Sequence, residues 1–118
     1  MEYHFLADTG LLVSELCLGT MTFGGNGYWE AIGKVNQDGA DQLVEHALKA
    51  GINFIDTANV YSFGLSEEML GHALKASGVP RSEVVVATKV QGRMGKGPNQ
   101  VGLSRLNILD SVEESLRR

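Results

Sequence analysis

The sequence predicts a parallel α/β fold, and two features of the chain carry that prediction. Short apolar segments alternate with segments whose apolar residues recur at helical spacing, in the order strand, helix, strand, helix, strand, helix. The last short segment, residues 84–89, is a continuous apolar run, which is typical of a parallel strand covered on both faces. The pattern alone does not separate a doubly wound sheet from a barrel. Both folds place their chemistry at the carboxyl ends of the strands, so polar residues at those ends are the candidates for function.

A small β-hairpin is expected ahead of this repeat. Two apolar pieces, residues 3–6 and 11–13, flank Asp8-Thr9-Gly10, which is a turn signal. Residues 16–21 then predict the first strand of the parallel sheet, and residues 53–58 predict the second.

The long glycine-rich segment 22–39 is expected to be a loop, and it carries Phe23, Tyr28 and Trp29. Aromatic side chains in such a loop either wall a pocket or pack down on the domain. The sequence favours neither interpretation over the other.

Apolar residues that recur at spacings of three and four predict three amphipathic helices. The predicted apolar stripes are Ala40, Leu43, Val44, Ala47 and Leu48 in the first helix, Met69, Leu70, Ala73 and Leu74 in the second, and Leu109, Val112 and Leu116 in the third. The expected N-caps are Asp38, Ser66 and Ser104, and the expected stops are Gly51 and Gly78. Glu67 and Glu68 place negative charge at the positive end of the second helix.

Composition restricts the class of protein. The chain has 118 residues and a net charge of −4, with both signs scattered along it, so neither nucleic acid nor an anionic membrane is expected as a partner. Cys17 is the only cysteine, which excludes an intramolecular disulfide. Residues 1–4 lack the basic segment followed by an apolar run that marks a secretory signal, so none is expected, and no apolar stretch reaches the roughly 20 residues that cross a bilayer. We therefore expect a cytoplasmic protein in which residues 1–118 form a single domain.

Two glycine-rich segments fail the tests for a nucleotide-binding loop. Residues 25–30 lack the last glycine of the G-x-G-x-x-G pattern, and residues 95–97 lack the hydroxyl residue and the upstream glycine of a P-loop. The histidines are expected on solvent-facing helix positions or in the hairpin, so neither a zinc site nor a histidine-based triad is expected. These histidines are His4, His46 and His72.

Three side chains carry the predicted chemistry. Asp56 lies near the end of a buried strand, where an ionised carboxylate is costly unless it is paired, and Lys89 at the end of the next strand is the strongest candidate cation. Tyr61 lies in the loop after Asp56. An ammonium close to a phenol lowers the pKa of the phenol from about 10 and suits it to donate a proton to a carbonyl oxygen. The alternative is a structural ion pair that seals the strand ends.

Motifs spread along the whole chain resemble those of the aldo-keto reductases. They are Leu18-Gly19-Thr20-Met21, Gly51-Ile52-Asn53-Phe54-Ile55-Asp56-Thr57-Ala58 with Tyr61, Ser66-Glu67-Glu68-x-Leu70-Gly71, Ala87-Thr88-Lys89, and Gly102-Leu103-Ser104-Arg105. The resemblance implies a partial (β/α)8 TIM barrel made of an N-terminal hairpin and the first three βα units. It also implies reduction of aldehydes and ketones with NADPH, or in some cases NADH.

The same resemblance implies the roles of individual residues. Tyr61 would be the general acid, Lys89 the residue that tunes it, and Asp56 the partner of Lys89. The cofactor-binding residues would be Gly19, Thr20, Met21 and Asp56. Trp29 would contact a small carbonyl substrate. The family's catalytic histidine, at the end of the fourth strand, has no counterpart among these residues, and Asn107 stands where relatives often have another histidine, at a position expected on the helix surface.

A barrel of this class takes about 250 residues, so the resemblance covers only part of one. A three-stranded sheet with helices on one side leaves strand edges and apolar side chains bare, and bare edges invite pairing with another chain. We therefore expect a truncated barrel that self-associates or pairs with a complementary barrel fragment. The alternative to an enzyme is a non-catalytic half-barrel, or a reductase-like subunit that oligomerises or binds a protein partner.

Overall fold

The computed structural model describes all residues from Met1 to Arg118 as an antiparallel hairpin followed by a parallel sheet with three helices. The strands are β1 (Tyr3–Phe5), β2 (Leu12–Ser14), β3 (Leu18–Gly19), β4 (Phe54–Asp56) and β5 (Val85–Ala87), and the helices are α1 (Gln37–Lys49), α2 (Leu65–Ser77) and α3 (Arg105–Arg117). The parallel strands lie in the order β3-β4-β5. The predicted architecture, a hairpin and the first three βα units of a barrel, is confirmed.

The parallel strands are shorter than the apolar runs that predicted them. Ladder pairing extends only from Leu18 opposite Ile55 to Asp56 opposite Ala87, because the chain leaves the sheet at both ends to enter its loops. The expectation that β5 is covered on both faces is wrong: all three of its residues are half-buried. In addition, β5 pairs only with β4, so its other edge has no strand beside it.

The hairpin is attached to the sheet through one asparagine. The Asn53 carboxamide accepts a hydrogen bond from the Ser14 main-chain N–H at 2.8 Å and donates one to the Leu12 carbonyl at 3.1 Å. The Asn53 N–H donates in turn to the Ser14 hydroxyl at 3.2 Å. Because Asn53 immediately precedes β4, these contacts hold the hairpin at the amino-terminal end of the parallel strands. Asp56 and Lys89 lie at the opposite, carboxyl-terminal end.

Two of the predicted helix caps are wrong, and one is confirmed. The side chain of Asn36, not that of Asp38, accepts from the main-chain N–H of Gly39 at the start of α1. Helix α2 begins one residue before Ser66, whose hydroxyl is buried and donates to the Thr20 carbonyl at 2.8 Å. Ser104 caps α3 as predicted.

The core lies between α1, α2 and the parallel sheet. Its buried members are Phe23, Ala40, Val44, Ile55, Met69, Leu70, Ala73 and Val84. Leu43 was expected in the stripe of α1 but is exposed, because the stripe that packs on α2 runs through its neighbours. None of the three helices is both long enough and apolar enough to cross a membrane.

Helix α3 differs most from the prediction. The face formed by Leu109, Val112 and Leu116 was expected to pack and is exposed. Asn107, which was expected on the surface, is buried, and its side-chain amide donates to the Gly102 carbonyl at 2.8 Å. The helix is therefore anchored by polar contacts at its ends, while its apolar face has no partner.

A buried carboxylate joins the carboxyl end of β5 to both neighbouring helices. Glu67, in the first turn of α2, is only 6% exposed. It accepts a hydrogen bond from the Thr88 hydroxyl at 2.6 Å and one from the Arg118 guanidinium at 2.8 Å. Both carboxylate oxygens are thus used, which offsets the cost of removing the charge from water.

We predict that Glu67→Ala lowers the free energy of unfolding by about 3 kcal/mol, because it leaves the Arg118 guanidinium without its partner. Glu68→Ala is the matched control, since Glu68 is the next residue of the same helical turn and is exposed. Urea unfolding of both variants measures the difference. Equal losses in the two variants would show that Glu67 contributes only through the helix dipole.

Candidate functional site

Lys89 is the centre of a polar cluster at the carboxyl ends of β4 and β5. Its Nζ lies 2.6 Å from Asp56 Oδ2, 2.8 Å from the Thr57 carbonyl oxygen and 3.4 Å from the Tyr61 phenol oxygen. The same Nζ is 5.2 Å from the centre of the Tyr61 ring. The structure therefore brings together the phenol, the ammonium and the carboxylate that the sequence singled out.

The register of the sheet produces this cluster. Asp56 pairs with Ala87, and the chains continue beyond the strands with hydrogen bonds from Thr57 N–H to the Ala87 carbonyl and from Asn59 N–H to the Lys89 carbonyl. Successive side chains point to opposite faces of a strand, so Lys89, two residues after Ala87, lies on the same face as Asp56.

Both members of the ion pair are partly in contact with solvent. The side chain of Lys89 is 51% exposed and that of Asp56 is 37% exposed. Partial burial lowers the pKa of Lys89, but hydrogen bonds to Asp56 and Tyr61 and the attraction of the Asp56 carboxylate outweigh it, so the pKa lies above its ordinary value of 10.5. Lys89 is therefore fully protonated at neutral pH.

Tyr61 is presented by a tight turn, Tyr61–Gly64, between β4 and α2. Ser62 and Phe63 adopt left-handed backbone conformations, with φ of 50° and 55°, and the Tyr61 N–H donates to the Ala58 carbonyl. The turn directs the phenol back over the strand ends, where it meets Lys89.

The three aromatic residues of the long loop have three different environments. Phe23 is fully buried in the core, and Tyr28 is 81% exposed. Trp29 lies in a short 3-10 helix, Gly27–Ala31, with its ring centre 5.4 Å from that of Tyr61 and an interplanar angle of 67°. Phe23 therefore packs down on the domain, as one of the two interpretations expects. Trp29 contacts the Tyr61 ring, and its role as the wall of a substrate pocket stays a prediction.

The three predicted cofactor-binding residues at the end of β3 lie in different environments. Gly19 and Met21 are exposed, at the same end of the sheet as Asp56. Thr20 is completely buried, with its hydroxyl 3.0 Å from that of Ser66, so its side chain faces α2 and away from Lys89. Only the main chain of Thr20 is linked to the cluster, through its N–H to the Asp56 carbonyl at 3.0 Å.

Two participants were missed from the sequence. The Thr57 carbonyl, which accepts from Lys89, is a main-chain group, and no side-chain motif marks it. Ser62 is fully buried and hydrogen-bonded to the loop that carries Trp29. The only available signal was its position next to Tyr61.

Comparison with known proteins gives one family. The model described as "Aldo/keto reductase family" matches residues 15–118. Versiconal hemiacetal acetate reductase from Aspergillus parasiticus is 41% identical over 135 residues, covering 100% of this chain and 39% of that protein. A probable voltage-gated potassium channel subunit beta from Oryza sativa subsp. japonica is 39% identical over 118 residues, covering 100% of this chain and 34% of that protein.

A solved structure agrees with these matches. An aldo-keto reductase from Bacillus halodurans, in its holo form, superposes with a TM-score of 0.76 and 32% identity, covering 99% of this chain and 36% of that one. The chain thus spans 34 to 39% of the length of the two curated relatives named above.

We predict that Asp56→Asn lowers the pKa of Lys89, because it removes the largest contribution that raises that pKa. NMR titration of the lysine side chain measures the change. The wild-type shift stabilises the fold at all pH values below the ordinary pKa, and this contribution is lost only as the pH rises through the raised pKa of Lys89.

Asp38→Asn is the control for this titration, since Asp38 is an exposed carboxylate on α1 that makes no contact with Lys89. An unchanged pKa of Lys89 in Asp56→Asn would mean that the ion pair does not form in solution.

Proposed function

The chain belongs to the aldo/keto reductase family, and on that premise we propose that it carries the amino-terminal part of the active site of an NADPH-dependent reductase of aldehydes and ketones. The observation that supports this most is the 3.4 Å contact between the Tyr61 phenol and the Lys89 ammonium at the open end of the parallel sheet. Oxidoreductases among the relatives support the general class of reaction.

In the proposed reaction, Tyr61 holds the proton that the carbonyl oxygen of the substrate receives as it gains negative charge. Lys89 stabilises the phenolate that remains after this transfer. Asp56 and the Thr57 carbonyl hold the Lys89 ammonium at that position. The reduced nicotinamide supplies the hydride when it is bound.

The strand ends have features that fit the ribose and nicotinamide part of such a cofactor. Apart from Gly19 and its two chain neighbours, no residue has an atom within 4 Å of the point where a Cβ would stand at Gly19, so a ligand can approach its main chain closely. Asp56 uses Oδ2 for Lys89, and Oδ1 has no hydrogen-bond partner in the protein, which suits it to accept from a ribose hydroxyl. Gly19, Thr20 and Met21, through their main chains, and Asp56 are the residues that would hold this part of the cofactor.

The substrate is proposed to be a small carbonyl compound bound between Tyr61 and Trp29. The edge-to-face contact of the two rings leaves an aromatic surface beside the phenol oxygen. An aldehyde or ketone carried on an apolar group would bury that group against Trp29 while its oxygen reaches Tyr61.

A second function is favoured by relatives of a different description. Proteins from three organisms that are 36 to 40% identical to this chain are described as probable or putative voltage-gated potassium channel subunits beta. The exposed apolar face of α3 and the unpaired edge of β5 offer surfaces for association. We therefore propose, as the alternative, a reductase-like subunit that self-associates or binds a protein partner.

We predict that Tyr61→Phe lowers kcat for nitrobenzaldehyde by about 10²- to 10⁴-fold, because the variant retains the ring but has no proton to donate. The dissociation constants of NADPH and NADH, measured by fluorescence titration, are expected to stay close to the wild-type values. Tyr28→Phe is the control, since the Tyr28 ring lies beside Trp29 but is exposed. Undiminished turnover in Tyr61→Phe would remove the proton-donor role.

The same titration separates the two candidate functions. Binding with turnover supports the reductase, and binding without turnover supports the subunit. Absence of both binding and turnover contradicts the reductase function for the isolated chain and supports a non-catalytic half-barrel.

We predict that the isolated chain forms assemblies larger than its own 12.7 kDa, because the α3 face is apolar and exposed. Multi-angle light scattering measures the mass. The double variant Leu109→Lys with Leu116→Lys is expected to shift the mass toward the monomer, whereas Glu113→Lys, an exposed position on the same helix, is not. A compact wild-type monomer with a sharp cooperative melt would contradict this prediction.

A further inference from the structure

The turn that carries Tyr61 is held in an unfavourable backbone conformation. Ser62 and Phe63 are consecutive non-glycine residues with φ of 50° and 55°, and Gly64 follows with φ of 96°. Residues with side chains rarely adopt this region, because Cβ crowds the following carbonyl. Such a conformation persists only where the surroundings impose it, so the contacts of this turn are informative.

The hydroxyl of Ser62 supplies those contacts. Ser62 is only 1% exposed. Its oxygen accepts a hydrogen bond from the Gly25 N–H at 2.9 Å and donates one to the Phe23 carbonyl at 3.1 Å. The Ser62 hydroxyl therefore both donates to and accepts from main-chain groups of a loop that lies far away in the sequence.

That main chain is the narrow base of the loop carrying Trp29. The Gly24 N–H donates to the Val35 carbonyl at 3.0 Å. Gly25 and Gly33 face each other so closely that neither has room for a side chain. The segment between these two glycines, which includes Trp29, is thus a loop with closely spaced ends, and the first of those ends is hydrogen-bonded to Ser62.

We infer that Ser62 is a positioning residue that locks the Tyr61 turn to the base of the Trp29 loop. Tyr61 and Trp29 are then parts of one rigid unit. The buried Ser62 hydroxyl holds their two rings at the observed centre-to-centre distance of 5.4 Å. The catalytic consequence rests on the proposed reductase function, but the structural coupling does not.

Two variants of the intact protein separate the hydroxyl from the backbone conformation. Ser62→Ala removes both hydrogen bonds and keeps the Cβ, whereas Ser62→Gly removes the bonds and also relieves the left-handed conformation. We expect both to lower kcat/KM for the carbonyl substrate by about 10- to 100-fold, because the donor is displaced, while the dissociation constant of NADPH is unchanged. Ser62→Gly should melt at a higher temperature than Ser62→Ala. The two variants should therefore differ in stability but lose similar activity, which shows that the loss of activity is not caused by the loss of stability.

Trp29 is the single tryptophan of the chain and reports the coupling directly. Acrylamide should quench its fluorescence more strongly in both Ser62 variants, with Trp29→Phe giving the background. Ser77→Ala is the matched control, because the Ser77 hydroxyl also bonds a main-chain carbonyl, at the opposite end of α2. Ser77→Ala should match wild type in rate and in quenching.

Wild-type kcat/KM in Ser62→Ala and Ser62→Gly, or wild-type quenching of Trp29 in both, would overturn the inference. An inactive wild-type protein would remove the proposed reductase function instead, and the quenching result alone would then decide the role of Ser62.

Discussion

The candidate site depends on the ion pair between Lys89 and Asp56, with Nζ 2.6 Å from Oδ2. The pair exists because β4 and β5 are parallel and in register, with Asp56 opposite Ala87, so that both chains leave the sheet at the same edge. Neighbouring strands lie about 4.8 Å apart, and a lysine side chain spans that gap with enough length left to approach Tyr61. In an antiparallel pair, the two charged residues would lie at opposite ends of the sheet.

Two carboxylates near the end of the sheet are stabilised in different ways, and the difference distinguishes a structural residue from a candidate functional one. Glu67 is buried and has fixed partners, Thr88 and Arg118, on both oxygens. Asp56 is half-exposed and uses one oxygen for Lys89. Because Thr88 and Lys89 are consecutive, their side chains point to opposite faces of the strand. The bond from Thr88 to Glu67 on the helix side thus fixes the direction of Lys89 on the other side.

Two kinds of signal in the sequence predicted parts of the structure: local patterns of a few residues, and the alternation of strands and helices. Ser104 was identified as a cap because its hydroxyl and the main-chain N–H that donates to it are only three residues apart. Asp56 and Lys89 were paired because the alternation of strands and helices implies parallel register. Ser66 failed as a cap because a distant group, the Thr20 carbonyl, binds its hydroxyl. The bond from Ser62 to the Trp29 loop was missed for the same reason: it joins residues far apart in sequence, and no local pattern marks it.

The exposure of the cluster connects the two candidate functions. At a half-exposed site, water screens the charge of Lys89 and weakens its interactions with neighbouring groups. The same contacts become several times stronger wherever water is excluded, without any change in their geometry. Trp29 already covers one side of Tyr61. Under the two proposals, proton transfer from Tyr61 would therefore depend on what covers the remaining side of the strand ends, and without such a cover the alternative of a non-catalytic subunit is favoured.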